Sequence, residues 1–292
     1  MDATLSVQKR ILERLKDMTP AQQLMAMYVL DHAELVAFMT AQQLADKLGQ
    51  SDASVIRLAR MIGYKGYSDM RRNLRQGLLG KVGARGLHQQ GIGTDDGKLL
   101  GHLVDVESLI VKETARLNDV EQMTEITKKL ISANRINVTG HGTSYPLAAY
   151  LAMNLNQCLG NTQVFNIGVG DLAERFRTAG PDEVFIGIGY VRYLPYTIEI
   201  MRLARARGAH VIAITDRPSS PLAEVAHQSL FVMREVSPSV WWSQTGTLFI
   251  ANWLVMLVMA QDSKRVEQQL KRADEELERI GFWNPGSSSK KT

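Results

Sequence analysis

The sequence predicts an α/β protein in two parts: an all-α helix-turn-helix domain, then a doubly wound parallel-sheet domain. Three observations predict it. Residues 40–67 give two amphipathic helical runs around a glycine. From residue 134 onward, short β-branched runs alternate with helical ones, the signature of a parallel sheet covered by helices. Between Gly77 and Lys98 many glycines and little apolar periodicity mark a connection. At 292 residues the chain is long enough for two domains, each with its own core. The expected boundaries are 1–78 for the first domain, 79–98 for a linker, 99–284 for the second domain and 285–292 for a disordered tail.

In the first domain, Thr40 is placed to cap a helix and Gln43, three residues on, completes a capping box. Ala41, Leu44, Ala45 and Leu48 recur at helical spacing and make one apolar face. Gly49 closes that helix where a left-handed residue is needed. Ser51 caps the next helix, whose inner face is Val55, Ile56, Leu58, Ala59 and Ile62. Its outer face carries Asp52, Ser54, Arg57 and Arg60. Two helices joined through a glycine turn, the second polar and basic outside, form the pattern of a DNA-binding helix-turn-helix. A plain helical hairpin with a solvated arginine pair has the same local pattern. The segment that follows favours DNA: Lys65, Tyr67, Arg71, Arg72 and Arg75 supply donors suited to phosphate oxygens.

Charge supports that division. Residues 1–90 hold 13 Lys and Arg against 8 Asp and Glu, an excess of five, while the remainder holds 21 against 22. The basic excess therefore lies wholly in the half that carries the helix-turn-helix, as a nucleic-acid partner requires. The single cysteine, Cys158, excludes an intrachain disulfide and sits in a helical apolar pattern as a small hydrophobe. The longest apolar stretch, Leu248 to Ala260, is too short to span a bilayer, and no signal segment precedes the first domain, so a cytoplasmic location is expected.

In the second domain the strands are expected at Asn134–Gly140, Gln163–Ile167, Val184–Gly189, His210–Thr215 and Ser229–Val232. Helices are expected at Pro146–Leu159 and Pro195–Arg207, and one long terminal helix from Ser243 to Ile280. Its second half carries the apolar stripe Val266, Leu270, Leu277 and Ile280, suited to packing on the sheet and on another subunit. Trp241, Trp242 and Trp253 most simply anchor it. Ligands of such sheets sit outside the carboxyl ends of strands. One strand end stands out: Gly140, His141, Gly142, Thr143 and Ser144 lead into a helix. Glycines let backbone approach a ligand, and the helix N-terminus offers free amides to an anion. Such a turn is as often a simple tight connection. Glu174 and Arg175 read as a surface ion pair. His210, Asp216 and His227 lack metal-ligand spacing, and neither a metal nor a cofactor is expected.

The run LADKLGQSDASVIRLARMIGYKGYSDMRRNL, preceded by Tyr28, Val29 and Leu30, resembles the N-terminal winged-helix domain of RpiR-type bacterial transcriptional regulators. The features that carry the resemblance are Leu44 and Ala45, Ser51, Ser54 and Val55, Arg57, and Gly63 through Tyr67. It covers roughly residues 1–78. INVTGHGTSYPLAAYLAMNL and GAHVIAITDRPSSPLAEVAHQSLFV are similar to a SIS (sugar isomerase) domain, over roughly residues 120–262. That likeness implies that Gly142, Thr143 and Ser144 help hold a phosphorylated sugar, with Ser219 and Ser220 near the second sheet edge. The sequence departs from the SIS pattern where a second serine-rich phosphate loop is usual. It has instead Gly187, Ile188, Gly189, Tyr190, Val191, Arg192 and Tyr193. Arg192 is suited to a phosphate or carboxylate, or to an acid of a neighbouring subunit, with Tyr190 and Tyr193 as pocket walls. The expected effector is therefore a sugar phosphate or another small anionic metabolite.

Together these readings imply a ligand-responsive regulator of a catabolic or sugar-metabolism operon, a homodimer or homotetramer bound to a palindromic double-stranded operator. Asp52, Ser54 and Arg57 would read base edges, helped by Gln50, Ser51 and Arg60. Lys65, Tyr67, Arg71 and Arg72 would clamp phosphates. The effector site would comprise Gly140 to Ser144 with Gly189, Tyr190, Arg192 and Tyr193. The alternative is a sugar-phosphate isomerase of the SIS type, for which the loops show no clear catalytic carboxylate.

Overall fold

A computed structural model describes residues 7–79, 95–167, 170, 172–177, 179–191, 193–234 and 243–282. The chain divides into two compact units that meet in sequence at Leu103 and Val104. Arg192, Trp241, Trp242, most of the expected linker and the expected tail lie outside the described residues.

The first unit is helical. It comprises α1 (Val7–Arg14), α2 (Pro20–Asp31), α3 (Ala33–Val36), α4 (Ala41–Leu48), α5 (Asp52–Met61) and α6 (Tyr67–Leu79). Both caps expected around α4 are present. Thr40 accepts from the Gln43 amide at 3.1 Å while Gln43 accepts from the Thr40 amide at 2.8 Å, and Gly49 is left-handed with φ 61°. Each satisfied cap contributes about 1 kcal/mol. The inward stripes of α2, α4, α5 and α6 meet in one core that includes Met25, Val29, Leu44, Leu58 and Met70, all buried. Among the described residues of this unit no strand forms, so the wing implied by the family resemblance is absent there. The turn after α5 runs directly into α6 because Tyr64 and Tyr67 bury their rings in the helical core.

The second unit is built on a five-stranded parallel sheet in the order β2-β1-β3-β4-β5. The strands are β1 (Arg135–Gly140), β2 (Thr162–Val164), β3 (Glu183–Ile188), β4 (His210–Thr215) and β5 (Gln228–Phe231). The helices after α6 are α7 (Asp96–Arg116), which starts inside the expected linker, α8 (Val120–Ser132), α9 (Tyr145–Leu159), α10 (Leu172–Arg177), α11 (Pro195–Ala206), α12 (Pro221–Val225), α13 (Thr245–Gln261) and α14 (Ser263–Arg279). The central strand β3 is buried along its whole length. Its Gly187 has a packing cause: a Cβ there would stand 2.1 Å from the Met201 sulfur of α11. Alternate side chains of the sheet fill two cores. One packs Ile136, Val138 and Ile186 against α8, α9 and α13. The other packs Phe185 and Val211 against α11 and α12.

The terminal apolar run is two helices, not the single one expected. The chain leaves helical geometry at Asp262 (φ −134°, ψ 52°). Val258 and Val266 both stay in the core across that break. Arg265 then donates to the Leu159 carbonyl at 2.7 Å and to the Ile131 carbonyl at 2.9 Å, near the ends of α9 and α8. Asp262 and Ser263 carry no glycine or proline signal, so the break is set by tertiary contacts.

Candidate nucleic-acid interface and effector site

Ser51 starts α5 by accepting from the Ser54 amide at 3.2 Å. Its hydroxyl lies 2.9 Å from that of Ser54, which in turn accepts from Arg57 at 2.7 Å. This chain of bonds along the first turn orders Arg57 without burying it. Asp52, Arg57 and Arg60 are exposed with Ser51, and Gln50 and Ser54 are half-buried beside them. Val55, Leu58 and Ala59 face the opposite way into the core. The expected base-edge readers therefore share one accessible face of one helix.

The expected phosphate clamps divide. Lys65 is exposed, its backbone amide fixed by Asp69 at 3.1 Å. Asp69 also accepts from Arg72 at 2.8 Å. The Lys65 amide and Arg72 hold its carboxyl below the usual carboxylate range. Arg72 stays exposed at the α6 surface. Arg71 donates one nitrogen to the Met39 carbonyl at 3.1 Å and is half-buried. Tyr67 does not fit the expectation. It is 4 % exposed, and its hydroxyl donates to the Val36 and Met39 carbonyls at 3.1 and 3.2 Å. Burial pushes that phenol well above its ordinary value. Tyr67 satisfies the orphan carbonyls around α3, and a flanking aromatic–basic pattern cannot distinguish that task from phosphate contact.

In the second unit, β1 connects to β2 on one side while β3 lies on the other. The crevice between the carboxyl ends of β1 and β3 is thus the switch point of the sheet, where ligands of open α/β folds bind. Both expected loops flank it. After β1, a Cβ on Gly140 would come within 2.9 Å of the Ser144 carbonyl oxygen, and Gly142 is left-handed with φ 60°. Ser144 is buried, whereas Thr143 is exposed. His141 Nδ1 lies 2.9 Å from the hydroxyl of Thr197 in the first turn of α11. The Tyr196 ring lies 5.9 Å away. The other ring nitrogen, Nε2, is buried with no hydrogen-bond partner. Burial holds the His141 imidazole below its usual titration range, in the neutral form.

After β3, Gly189 packs on Leu222, which a Cβ would meet at 3.0 Å. Tyr190 is buried, hydrogen-bonded to Thr247 and covered by Arg234 at 4.3 Å from its ring centre. It is part of the core behind the crevice, so the expected role as an exposed pocket wall is corrected. Tyr193 donates to Asp216 Oδ1 at 2.5 Å. No role for Asp216 is legible in the sequence. In the fold it is the hub of this loop: it also accepts from the Val191 amide and pairs with Arg217, both at 3.3 Å. Burial and the facing carboxylate drive the Tyr193 phenol far upward. Its place at the carboxyl end of β4 was the one signal available. Ser220 is buried and caps α12 by accepting from the Ala223 amide at 3.0 Å. Arg175 donates to the Val164 carbonyl at 2.7 Å and lies over Phe165, rather than only on the surface. Among the described residues no group of three metal-ligating side chains forms, and no helix is long and apolar enough to cross a membrane.

Comparison with known proteins matches residues 5–80 to the helix-turn-helix domain of the rpiR family and residues 129–259 to the SIS domain. The uncharacterized HTH-type transcriptional regulator YfhH of Escherichia coli is 27% identical over 77% of this chain and 81% of its own. A similarly named regulator, TTE0211 of Caldanaerobacter subterraneus, is 25% identical over 91% and 95% of the two chains. Among solved structures, NanR of Vibrio vulnificus, complexed with ManNAc-6P, shares the fold with a TM-score of 0.67 at 22% identity, covering 94% of this chain and 99% of that one. The sugar isomerase domain of an RpiR transcription factor from Sphaerobacter thermophilus aligns over 61% of this chain and 99% of that one, with a TM-score of 0.58 at 23% identity.

Proposed function

We propose, from the premise that this chain is an RpiR-type transcriptional regulator with an rpiR-family helix-turn-helix followed by a SIS domain, that α5 reads an operator and that a small anionic metabolite at the β1–β3 switch controls it. The observation that carries the reading is the single accessible face of α5, with Ser54 and Arg57 already bonded to each other and both arginines exposed. Arg57 suits guanine, whose O6 and N7 accept a bidentate guanidinium in the major groove. Asp52 suits the exocyclic amine of cytosine. Lys65 and Arg72 lie one turn and one helix further on, and they supply non-specific phosphate contacts that set register.

The metabolite class follows from the SIS crevice and from the ligand named for NanR, a sugar phosphate. His141 Nε2, the exposed Thr143 hydroxyl and the backbone of the Gly140–Ser144 loop are the groups available to it. Effector and operator must change each other's affinity by the same factor. Isomerase turnover is not expected on this reading: Asp216 is committed to Tyr193, Val191 and Arg217, so it is not placed as a free base.

The test is fluorescence anisotropy of the full chain, at physiological salt, with the intergenic DNA beside its own gene and with a scrambled duplex. A preference of about a thousandfold or more is expected, within the range of specific binders. A panel of sugar phosphates is then expected to shift that affinity. Equal binding to both duplexes with every metabolite and every promoter fragment, together with turnover of a sugar phosphate, would overturn the reading.

A further inference from the structure

Tyr190 stands where the SIS resemblance places a serine-rich phosphate loop. It follows β3 by two residues, at the carboxyl end of the central strand. Its side chain is nevertheless given to the protein. The ring is buried beneath Arg234, and the hydroxyl is bonded to Thr247 in the first turn of α13. A buried phenol that lost its partner would leave an unpaired polar group, so ring and hydroxyl together hold Tyr190 in one place.

From Tyr190 a chain of contacts leads to α7. Arg234 donates to the Ser243 carbonyl at 3.0 Å and to the Gln244 side chain at 3.1 Å, just ahead of α13. The Ser243 hydroxyl accepts from the Thr245 amide at 3.2 Å and donates to Glu107 of α7 at 2.7 Å. Between α13 and α7 there is no slack. A Cβ on Gly246 would stand 2.6 Å from Val232, 2.8 Å from the Thr114 hydroxyl and 3.2 Å from Ile110. Side chains packed that closely pass on a displacement instead of absorbing it. The helix they reach is the one along which the chain passes from the first unit to the second. It starts at Asp96, and the units meet in sequence at Leu103 and Val104.

We propose that Tyr190 is a positioning residue that ties the loop after β3 to α7 through the first turn of α13. Its joints are Tyr190 on Thr247 and Arg234 at one end, and Ser243 on Glu107 at the other. Displacement of the loop then moves α7, and a change in α7 is felt back at the loop, because coupling between two sites is reciprocal. That a metabolite supplies the displacement rests on the function proposed above; the tie itself does not. A tyrosine that only filled the core would loosen its surroundings alike and favour no distant helix.

Hydrogen exchange of the full chain, free of ligand, tests the tie. Tyr190→Phe keeps the ring and removes the hydroxyl. It is expected to raise exchange across residues 104–116 of α7 roughly threefold to tenfold, the effect of one buried hydrogen bond. Strand β2, at the edge of the sheet, should be unchanged. Glu107→Ala, at the other end, is expected to raise exchange of the Gly189 and Val191 amides, which bond to Ile214 and Asp216. In the double variant the two effects should fall short of their sum. Ser220→Ala, which removes the cap of the helix that Gly189 packs on, should leave α7 as it is. Native exchange of α7 in Tyr190→Phe, a rise shared equally by β2, or unchanged loop amides in Glu107→Ala would each overturn the proposal. ManNAc-6P and a panel of hexose 6-phosphates are then added. A compound that slows exchange at Gly189 and Val191 is expected to alter α7 in the native chain and not in Tyr190→Phe. An α7 response that survives Tyr190→Phe would also overturn the proposal. If no compound binds, the functional reading fails, and the ligand-free outcomes still decide the tie.

Discussion

Along α5 the polar side chains stand clear of the fold, whereas at the β1–β3 switch they are turned on one another. Arg57 and Arg60 are exposed, and Arg57 donates to a serine of its own helix. Tyr193 is bound to Asp216, Tyr190 to Thr247 and His141 to Thr197. On the proposed reading, the difference follows from what each region would do. A surface that reads DNA keeps its donors in water until the groove replaces that water, so its order comes from the helix behind it. A crevice that receives a small molecule must hold its polar groups in place while it is empty, because an unpaired buried group costs about 1–3 kcal/mol. His141 Nε2 and, at the end of β1, the Thr139 hydroxyl are exceptions to that pairing.

The contrast is broken most forcefully at two adjacent residues of α5. Leu58→Ala is expected to cost about 2–5 kcal/mol by opening a cavity in the first core, read as loss of hydrogen-exchange protection in α2, α4 and α6. Protection of the sheet should be unchanged. Arg57→Ala should leave that protection intact and remove about 1–3 kcal/mol of discrimination between operator and scrambled DNA. If Arg57→Ala weakened both duplexes equally, Arg57 would be a phosphate contact. Asp216→Ala is expected to destabilise the second unit by about 1.5–3 kcal/mol, since four donors, from Val191, Tyr193, Thr215 and Arg217, lose a charged acceptor. The loss should show in thermal unfolding of the SIS unit, with non-specific DNA affinity unchanged. Arg72→Ala should weaken all DNA alike and reduce the salt slope by about one.

The smallest effect sharpens the comparison by pH. His141 is neutral in the fold and its folded value lies below the ordinary 6.5. The unfolded chain therefore binds more protons as pH falls below that value. Its stabilising contribution is complete above 6.5 and is lost as pH drops through the depressed folded value. His141→Gln should flatten part of that slope. His227, also depressed by burial and by Arg205, keeps the rest. A profile unchanged by His141→Gln would remove His141 from the titration.

What the sequence disclosed and what it withheld divide by distance along the chain. The capping box of Thr40 and Gln43, the left-handed Gly49 and the inner face of α5 are local patterns, and all are found as read. The strand order places the two suspected loops at one crevice because short alternating elements leave few topologies. Tyr67 was misassigned because its partners lie 28 and 31 residues away. Asp216 was passed over because Tyr193 precedes it by 23 residues and no spacing rule links them. The break at Asp262 follows from Arg265 reaching carbonyls 106 and 134 residues back.

Arg265 has a consequence of its own. Its guanidinium ends two helices at once, and each terminus carries roughly half a negative charge from its aligned peptide dipoles. A guanidinium presents several donors in one rigid fork, so a single side chain can serve both carbonyls. The root of the last helix is thus fastened where two other helices end. A substitution at Arg265 would therefore be felt at three helices together, whereas one at the crevice, as at Asp216, would be felt in the loops that flank it.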